Sequence, residues 1–307
     1  MQLETQRPVS IIVVTYNSAS VLPPLLDSVQ DGLAGVDKYA VVIVDNDSRD
    51  GSAELAEAHR VGPTVIRMGR NAGYAAAINA GTAVIDPRSD ILILNPDLRL
   101  YPHAVKPLME LTDDPSVGVA VPRNFKEDQT TDPTLRQEPS IITAWAEAIL
   151  GGKLAARIGL GEIVGDLARY DVRRRIEWAT GSALLVSSRA RAAVGAWDES
   201  YFLYSEEVDY QRRVREAGFD IVYEPRAEVM HAGGESGVNP RLFALLTANR
   251  IRYYGRNHGR VATWLFRLGI VVGEALRYHR GSVHKAGLRS AIYPARCARD
   301  FLANQPG

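Results

Sequence analysis

Short runs of apolar side chains recur along the first 121 residues, and residues typical of turns bound each of them. The runs hold five to seven residues and are rich in β-branched side chains. Such runs predict strands that are buried on both faces, as in a parallel sheet. The predicted strands are Val9–Thr15, Ala40–Val44, Thr64–Met68, Asp90–Leu94 and Val117–Val121.

Stretches with helical spacing lie between several of these strands. In the stretch from Tyr101 to Leu111, apolar side chains recur at the three- and four-residue intervals that place them on one helix face. Two other stretches with helical spacing are Ser52–His59 and Ala72–Val84. Alternating strands and helices predict an α/β fold with a mostly parallel sheet that helices cover on both sides. Ligands of such sheets bind beyond the carboxyl ends of the strands.

The pattern is less regular from residue 123 to residue 175. The polar stretch Lys126–Glu138 predicts a mobile loop, and Ile141–Leu150 predicts a helix closed by two glycines. We expect substrate-specific variation in this segment. The elements predicted after it are regular structure at Trp178–Ser187, a helix at Glu206–Ala217 and strands at Phe219–Tyr223 and Ala227–His231.

The composition is that of a folded globular protein, with 307 residues of which 46% are hydrophobic and 23% charged. A single cysteine, Cys297, excludes an internal disulfide framework and fits a reducing compartment. The first residues lack the pattern of a signal peptide, and no apolar run reaches the roughly 20 residues that span a bilayer. We therefore expect a cytoplasmic protein.

A net charge of zero conceals an uneven distribution. Residues 241–307 carry twelve basic and two acidic side chains, so the preceding 240 residues hold an excess of ten negative charges. This asymmetry predicts two modules, residues 1–237 and a basic helical extension at residues 238–307. A basic extension suits nucleic acid, anionic lipid, a phosphorylated substrate or the acidic body of the chain itself.

One stretch of the extension, from residue 260 to residue 280, has amphipathic helical spacing. Arg260, Arg267 and Glu274 recur every seven residues on one side. The apolar positions on another side are Val261, Trp264, Leu265, Leu268, Val272 and Ala275. The stretch fits either a helix packed on the first module or a helix at a membrane surface, and the surplus of arginine favours an anionic membrane surface.

Polar residues follow three of the predicted strands at the carboxyl end. The three strand exits read Thr15-Tyr16-Asn17-Ser18, Asp45-Asn46-Asp47-Ser48 and Asn95-Pro96-Asp97. Turns favour such residues for conformational reasons alone, but three exits on one rim indicate a binding site. Asp97 is a suitable oxygen ligand for a divalent cation, which takes its remaining ligands from water and a phosphorylated substrate. His231, at the end of a late strand, is the candidate second ligand, although a single histidine is more often structural.

Three acidic residues, Glu206, Glu207 and Asp209, open the helix that follows Ser205, its predicted N-cap. Acidic side chains in a first turn complement the helix dipole, which is a purely structural role. The aromatic residues just before them would raise the pKa of a buried carboxyl, as a general base requires. The sequence leaves both roles open.

Motifs of other nucleotide-dependent and hydrolytic classes are absent from the sequence. No G-x-G-x-x-G follows a strand, and neither G-x-x-x-x-G-K-[ST] nor G-x-S-x-G occurs. Their absence weakens the case for a dehydrogenase, a P-loop enzyme or an α/β hydrolase.

Seven segments between residues 9 and 237 together resemble the inverting family 2 glycosyltransferases of GT-A fold. Within that family they resemble the rhamnosyltransferase-like branch that builds bacterial surface polysaccharides. The segments read SIIVVTYNS, VVIVDNDSRDGS, NAGYAAAINAG, LILNPDL, WATGSALLV, GAWDESYFLYSEEVDYQRRVREAG and AEVMHAGGES. The resemblance implies a Rossmann-like, mostly parallel sheet flanked by helices, which binds a nucleotide sugar in residues 1–237.

The resemblance also implies roles for individual residues. The nucleotide would be bound by Thr15, Tyr16, Asn17, Asp45, Asn71, Gly73 and Asn79. The metal motif would be Asn95-Pro96-Asp97, with His231 as the late metal ligand. The sugar and acceptor walls would be Trp178, Thr180 and Gly181, with Glu206 in the acidic cluster and Arg213 after it. Glu207 would be the catalytic base, with Asp209 and Glu206 as alternatives.

The sequence departs from the family at two of these positions. Glu207 stands where the family usually has aspartate, and Asn95 replaces the first aspartate of the D-x-D motif. A longer base moves its carboxylate by about one bond length, which can be costly in catalysis. A nucleotide-sugar-binding protein without catalysis therefore stays open, as does a sugar nucleotidyltransferase, which would release pyrophosphate.

The resemblance implies the partners of the enzyme as well. They are Mg²⁺ or Mn²⁺, a dTDP- or UDP-linked donor, most readily dTDP-L-rhamnose, and a glycan or polyprenyl-diphosphate-linked acceptor. An anionic membrane surface on the inner face of the cell membrane fits such an acceptor. We expect no nucleic-acid partner.

Overall fold

A computed structural model describes residues 7–233 and 239–303, and a nine-stranded sheet forms the centre of the described chain. The strands are β1 Val9–Thr15, β2 Tyr39–Asp45, β3 Thr64–Arg67, β4 Asp90–Leu94, β5 Leu98–Leu100, β6 Val117–Phe125, β7 Leu135–Arg136, β8 Arg174–Arg175, β9 Trp178–Ala179, β10 Ala183–Val186 and β11 Asp220–His231. The helices are α1 Leu22–Gly32, α2 Ser52–Glu57, α3 Tyr74–Ala83, α4 Val105–Leu111, α5 Ile141–Leu150, α6 Gly152–Arg157, α7 Ser188–Val194, α8 Glu206–Glu216, α9 Pro240–Asn257, α10 Arg260–Leu276, α11 Ser282–Ile292 and α12 Pro294–Ala303.

The strands follow the order β3-β2-β1-β4-β10-β6-β11-β5, with β8 paired beside β11. The first four are mutually parallel, so their carboxyl ends share one edge, and Thr15 lies opposite Asp45 in the register. β10 is antiparallel to both of its neighbours, whereas β6 and β11 are parallel to each other. The predicted α/β fold with a mostly parallel sheet is confirmed.

Helices cover both faces of this sheet. The buried side chains of α1 and α4 lie in one apolar cluster with alternate residues of the central strands, and those of α3, α7 and α8 lie in a second cluster with the other residues. Every residue of β1 and β4 is buried. The continuous apolar runs in the sequence therefore correspond to strands covered on both faces.

β11 is one strand where the sequence predicts two. Its pairing with β6 shifts register between Glu224 and Glu228, around Pro225, which lacks the N–H that a regular ladder requires. Past this irregularity β11 pairs with β5, and His231 lies opposite Leu98. Since Asp97 directly precedes Leu98, this pairing brings the Asp97 carboxylate next to the His231 ring.

The polar stretch Lys126–Glu138 is more ordered than its composition predicts. Leu135 and Arg136 form β7, which pairs antiparallel with β9, and Leu135 is buried. The stretch predicted as regular structure at Trp178–Ser187 is divided into β9 and β10 by a turn. The two-stranded sheet of β7 and β9 therefore attaches the segment at residues 123–175 to the rest of the fold.

Residues 239–303 are mostly helical, and the predicted module boundary at residue 237 lies outside the described residues. α9 packs against α11, and α10 packs against α5. The buried residues of α10 are Phe266, Gly269, Ile270 and Gly273, whereas Val261 and Trp264 are 75% and 59% exposed. None of the helices in the described ranges is both long and apolar enough to cross a membrane.

α9 also holds the loop that leads into α8. Phe202, Tyr204 and Ser205 have positive φ angles of 66°, 67° and 74°, which are unfavourable for residues with a side chain. The buried amide of Asn249 donates to the carbonyls of Tyr201, at 2.8 Å, Leu203, at 2.8 Å, and Tyr204, at 3.2 Å. One side chain of α9 therefore stabilises the strained loop.

We expect Asn249→Ala to lower the free energy of unfolding by about 1–3 kcal/mol, because it leaves buried carbonyls without a donor. The urea unfolding midpoint measures this change. Hydrogen exchange should also accelerate in peptides that cover residues 201–206.

Asn257→Ala is the matched control, since Asn257 donates to the Tyr253 carbonyl within α9 itself. It should leave the exchange of residues 201–206 unchanged. Equal exchange rates in both variants would show that the Asn249 amide does not hold the loop.

Candidate active site

A cavity of about 700 Å³ opens at the carboxyl edge of the sheet. Its walls come from the strand exits, the segment around β7 and β9, the start of α8, and helices α5 and α9. The predicted site residues that line it are Tyr16, Asn71, Gly73, Asn95, Trp178, Thr180, Gly181, Glu206, Glu207 and His231. These ten predicted site residues thus share one cavity, whereas the predicted metal ligand Asp97 is not among the residues that line it.

Thr15, Asn17 and Asp45 lie behind the cavity wall and shape its rim. Thr15 Oγ1 donates to Asp45 Oδ1 at 2.9 Å, and both side chains are buried. Asp45 Oδ2 accepts from the Ser48 backbone N–H at 3.0 Å, and Asn17 Oδ1 accepts from the Arg49 N–H at 2.9 Å. These bonds hold the loops after β1 and β2 together and leave Tyr16 on the cavity surface.

Gly73 allows the start of α3 to touch the loop before α8. Its φ angle is +91°, and a Cβ added there would lie 2.4 Å from the Phe202 carbonyl oxygen. The N–H of Tyr74 donates to that same oxygen at 2.6 Å. Any side chain at position 73 would separate the two segments, so this glycine is required by a close backbone approach.

Tyr74 joins two further parts of the wall. Its hydroxyl lies 3.1 Å from Asn95 Oδ1 and 3.3 Å from the Gly181 carbonyl oxygen. Burial and the carboxylates of Glu206 and Glu207 raise the pKa of Tyr74, which keeps the hydroxyl protonated and available as a donor. The sequence analysis missed Tyr74 because a tyrosine in an alanine-rich helix is more simply explained by core packing.

His231 lies between two carboxylates. Its Nε2 is 3.4 Å from Asp97 Oδ1, and its Nδ1 is 3.6 Å from Asp132 Oδ2. Burial alone lowers the pKa of His231, but Asp132 and Asp97 outweigh burial and raise it to about 9. Both ring nitrogens are buried without an aligned hydrogen bond.

These groups fit a divalent cation that also binds a diphosphate. The His231 imidazole, once it has released its proton, and the Asp97 carboxylate would supply two protein ligands, and phosphate oxygens and water would complete such a set. Within residues 7–233 and 239–303, no cluster of three or more histidine, cysteine, aspartate or glutamate side chains is arranged to hold a metal alone. The substrate would therefore have to supply part of the coordination.

Glu206 and Glu207 are held at the start of α8. Each has an Oε2 atom that is buried without a hydrogen-bond partner. Burial, followed by the neighbouring Glu207 charge, raises the pKa of Glu206 well above its ordinary value. Burial also raises the pKa of Glu207, but backbone N–H groups and the Arg136 charge oppose the shift. Of the pair, Glu206 is the harder to ionise and Glu207 has more groups that favour its charged form, which makes Glu207 the better candidate for a base.

Ser205 occupies the N-cap position but does not act as the predicted side-chain cap. Its backbone is left-handed, and its hydroxyl makes no capping hydrogen bond. The left-handed turn instead directs the first residues of α8 toward the cavity, which leaves their carboxylates among buried groups.

Asp209, Arg213 and Asn79 lie outside the cavity lining. Arg213 Nε donates to Asp209 Oδ2 at 2.9 Å, and its Nη1 donates to the Val194 carbonyl at 3.1 Å, so this pair joins α8 to the end of α7. Asn79 exchanges hydrogen bonds with the backbone of Trp197, at 3.0 Å and 2.9 Å. All three side chains connect structural elements around the cavity.

Several cavity residues escape the sequence analysis because they come from irregular or distant segments. They are Tyr74, Asp132, Thr134, Arg136, Glu147, Glu162 and Arg250. The one available signal was Glu147, a lone charge in the apolar helix IITAWAEAIL. Nothing in the local pattern of Arg250 distinguishes it from the other arginines of the basic extension.

Comparison with known proteins identifies the family of this chain. The model of the family described as glycosyl transferase family 2 matches residues 10–172. The N-acetylglucosaminyl-diphospho-decaprenol L-rhamnosyltransferase of Mycobacterium tuberculosis is 31% identical over 232 residues, which cover 72% of this chain and 75% of that protein. The low-salt glycan biosynthesis hexosyltransferase Agl10 of Haloferax volcanii is 26% identical over 223 residues, or 69% of this chain and 63% of that protein.

A solved structure shares the fold. The mannosyltransferase PcManGT from Pyrobaculum calidifontis, in complex with GDP-Man and Mn²⁺, superposes with a TM-score of 0.59 and 14% identity over 99% of this chain and 89% of that one. This likeness confirms the GT-A architecture predicted from the sequence. Fold, family model and relatives agree, and the chain belongs to glycosyl transferase family 2.

Proposed function

We propose that this glycosyltransferase transfers L-rhamnose from dTDP-L-rhamnose to a polyprenyl-diphosphate-linked glycan, with inversion at the anomeric carbon. The observation that carries the proposal is a single cavity lined by both Glu207 and His231, with the Asp97 carboxylate 3.4 Å from the His231 ring. An inverting transfer requires these two functions, a base for the acceptor hydroxyl and a site for the departing diphosphate. The sugar and acceptor are those in the name of the Mycobacterium tuberculosis relative.

Glu207 acts as the general base. Its carboxylate takes the proton of an acceptor hydroxyl while the hydroxyl oxygen forms a bond to the anomeric carbon. The bond between that carbon and the nucleoside diphosphate breaks in the same displacement, and the diphosphate leaves with the bonding electrons. Glu206, neutral beside it, keeps a second negative charge away from the attacking oxygen.

Asp97 and His231 would hold Mg²⁺ or Mn²⁺, with Asp132 behind the imidazole. The cation would neutralise charge that develops on the diphosphate as it leaves. Asn95 and Tyr74 fix the turn that presents Asp97, because the Tyr74 hydroxyl holds Asn95 Oδ1.

The protein further binds anionic membranes on the inner face of the cell membrane, as a polyprenyl-linked acceptor requires. α5 and α10 pack against each other, and each leaves large apolar side chains exposed, among them Ile142 and Ile149 at 66% and Val261 at 75%. The basic surplus of residues 241–307 supplies attraction to anionic headgroups.

We expect Glu207→Gln to reduce turnover by about 100-fold or more with little change in donor affinity, because it removes the proton acceptor alone. Glu206→Gln is the matched comparison and should reduce turnover much less, because its raised pKa makes Glu206 the weaker candidate for the base. Release of dTDP from dTDP-L-rhamnose measures both, and release of pyrophosphate would indicate a nucleotidyltransferase.

The pH dependence of the turnover rate tests whether Glu207 must be ionised. Because the pKa of Glu207 is raised above the ordinary 4.5, the base is protonated at low pH and the rate should rise as pH increases through the shifted pKa. This rising limb should persist in Glu206→Gln. A profile that loses the limb in Glu206→Gln would assign the base to Glu206.

We expect Asp97→Ala and His231→Ala to abolish the Mn²⁺-dependent part of dTDP binding, because each removes a proposed ligand of the cation. Isothermal titration of dTDP with and without Mn²⁺ measures the difference independently of turnover. Asp113→Ala is the control, since this exposed carboxylate pairs with Arg7 at a distant turn. Undiminished Mn²⁺ dependence in Asp97→Ala would remove Asp97 from the metal site.

We expect co-sedimentation with vesicles of phosphatidylglycerol but much less with vesicles of phosphatidylcholine, because apolar contact and positive charge act together. The double variant Val261→Asp with Trp264→Asp should lose the binding and retain the unfolding midpoint. Equal partition onto both vesicle types would contradict the proposed membrane surface.

A further inference from the structure

One wall of the active-site cavity comes from the C-terminal helices. Arg250 and Leu246, both on α9, line the cavity together with the strand exits. The match to the family model ends at residue 172. This wall is therefore a feature of the chain beyond the region that the family model describes.

Arg250 belongs to a network of alternating charges on that wall. Its Nη2 lies 2.9 Å from Glu147 Oε2 and 2.6 Å from Glu162 Oε2. The Glu162 N–H donates to Glu147 Oε1 at 2.8 Å, and the guanidinium of Arg136 acts electrostatically on Glu162. The two carboxylates and two guanidinium groups carry no net charge.

Two polar atoms of residues that line this wall have no hydrogen-bond partner. They are Arg250 Nε and Thr134 Oγ1, and both are buried. Buried polar groups in folded proteins are nearly always bonded, so these atoms point to a ligand that reaches them when the side chains of the wall adjust. A ligand with hydroxyl groups, which both donate and accept, matches this mixture of guanidinium, carboxylate and hydroxyl.

The network stands on the side of the cavity where Glu207 is. The charges of Arg136 and Glu162 both act on the Glu207 carboxyl. Trp178 lines the same cavity, and its Nε1 donates to the Gln137 carbonyl at 2.9 Å, which fixes the ring beside this wall. A neutral, polyhydroxylated ring with an apolar face suits such a wall better than a dianionic diphosphate does.

We propose that Arg250, Glu162, Arg136 and Thr134, together with Trp178, form the subsite for the sugar ring of the acceptor, which makes α9 a determinant of acceptor specificity. The proposal rests on the glycosyl transfer proposed above. It assigns to the basic extension a direct part in substrate recognition, in addition to membrane contact.

The alternative role of the network is structural, because the same ion pairs join α9 to α5. If the network is only structural, its loss lowers thermal stability and changes either all of the kinetic constants together or none of them. Recognition of the acceptor changes the acceptor KM alone. Arg252 supplies the matched control, since it also bridges α9 to the catalytic body, through the Ser200 carbonyl at 2.5 Å and Ser200 Oγ at 2.8 Å, and does not line the cavity.

The experiment compares Arg250→Gln, Arg250→Lys, Glu162→Gln and Arg252→Gln in the full chain. Steady-state transfer uses dTDP-L-rhamnose and a short-chain N-acetylglucosaminyl-diphospho-polyprenol. Acceptor-independent hydrolysis of the donor and calorimetric binding of the same short-chain acceptor provide two further readouts. Arg250→Lys keeps the charge and guards against a glutamine variant that does not fold.

We expect the acceptor KM and the acceptor Kd to rise about tenfold or more in Arg250→Gln and Glu162→Gln, and less in Arg250→Lys, because hydrogen bonds to charged groups are lost. The donor KM should stay unchanged, and Arg252→Gln should match the wild type in the KM of both substrates. An unchanged acceptor Kd with a lowered Tm, or an equal rise in donor and acceptor KM, would overturn the proposal.

Failure of the proposed function would give different results in these assays from failure of the proposed subsite. A wild-type protein that binds the acceptor but neither hydrolyses nor transfers any nucleotide sugar contradicts the transfer reaction, while a loss of acceptor binding in Arg250→Gln still supports the subsite. A wild-type protein that transfers the sugar but binds the acceptor no better than Arg250→Gln overturns the subsite alone.

Discussion

The antiparallel pairing of β5 with β11 is the interaction on which the candidate site depends. It joins residues more than 130 positions apart in the chain and sets His231 opposite Leu98, one residue after Asp97. A strand register that slipped by one residue would direct the imidazole to the other face of the sheet, because side chains alternate along a strand. The irregularity at Pro225 matters for the same reason, since it shifts the register of β11 between its two halves and lets one strand serve both the core and the site.

Much of the fold follows from local pattern. The five predicted strands and the acidic start of α8 lie where the sequence places them, because buried strands and helix starts have local physical causes. Helix α1 was not predicted, although Leu22, Leu25, Leu26 and Val29 have helical spacing around Pro23-Pro24. Both prolines lie in the first turn of α1, where backbone N–H groups have no partner in the helix and proline is tolerated.

The site was less predictable than the fold, for a physical reason that individual residues show. Arg250 and Asn249 act on segments about 50 to 100 residues away, and no spacing in the sequence reports such contacts. Asn79 and Arg213 show the opposite case, because a family resemblance places them near the substrate while their hydrogen bonds join elements outside the cavity. Strand exits are different: all parallel strands end at one edge, so topology alone brings Tyr16 and Asn95 together.

The glutamate at position 207 departs from the usual aspartate, and the cavity contains a compensating feature. Gly181 faces it, and a Cβ added at Gly181 would come within 3.4 Å of Glu207 Cβ. The missing side chain leaves space of about one atom beside the longer base. The N-terminus of α8 and the Asn249 clamp hold the backbone of the base in place, so the extra methylene changes the reach of the carboxylate without moving the helix. Under the proposed function, the longer carboxylate reaches an acceptor hydroxyl that lies slightly farther from α8, which is consistent with the proposed acceptor subsite on α9.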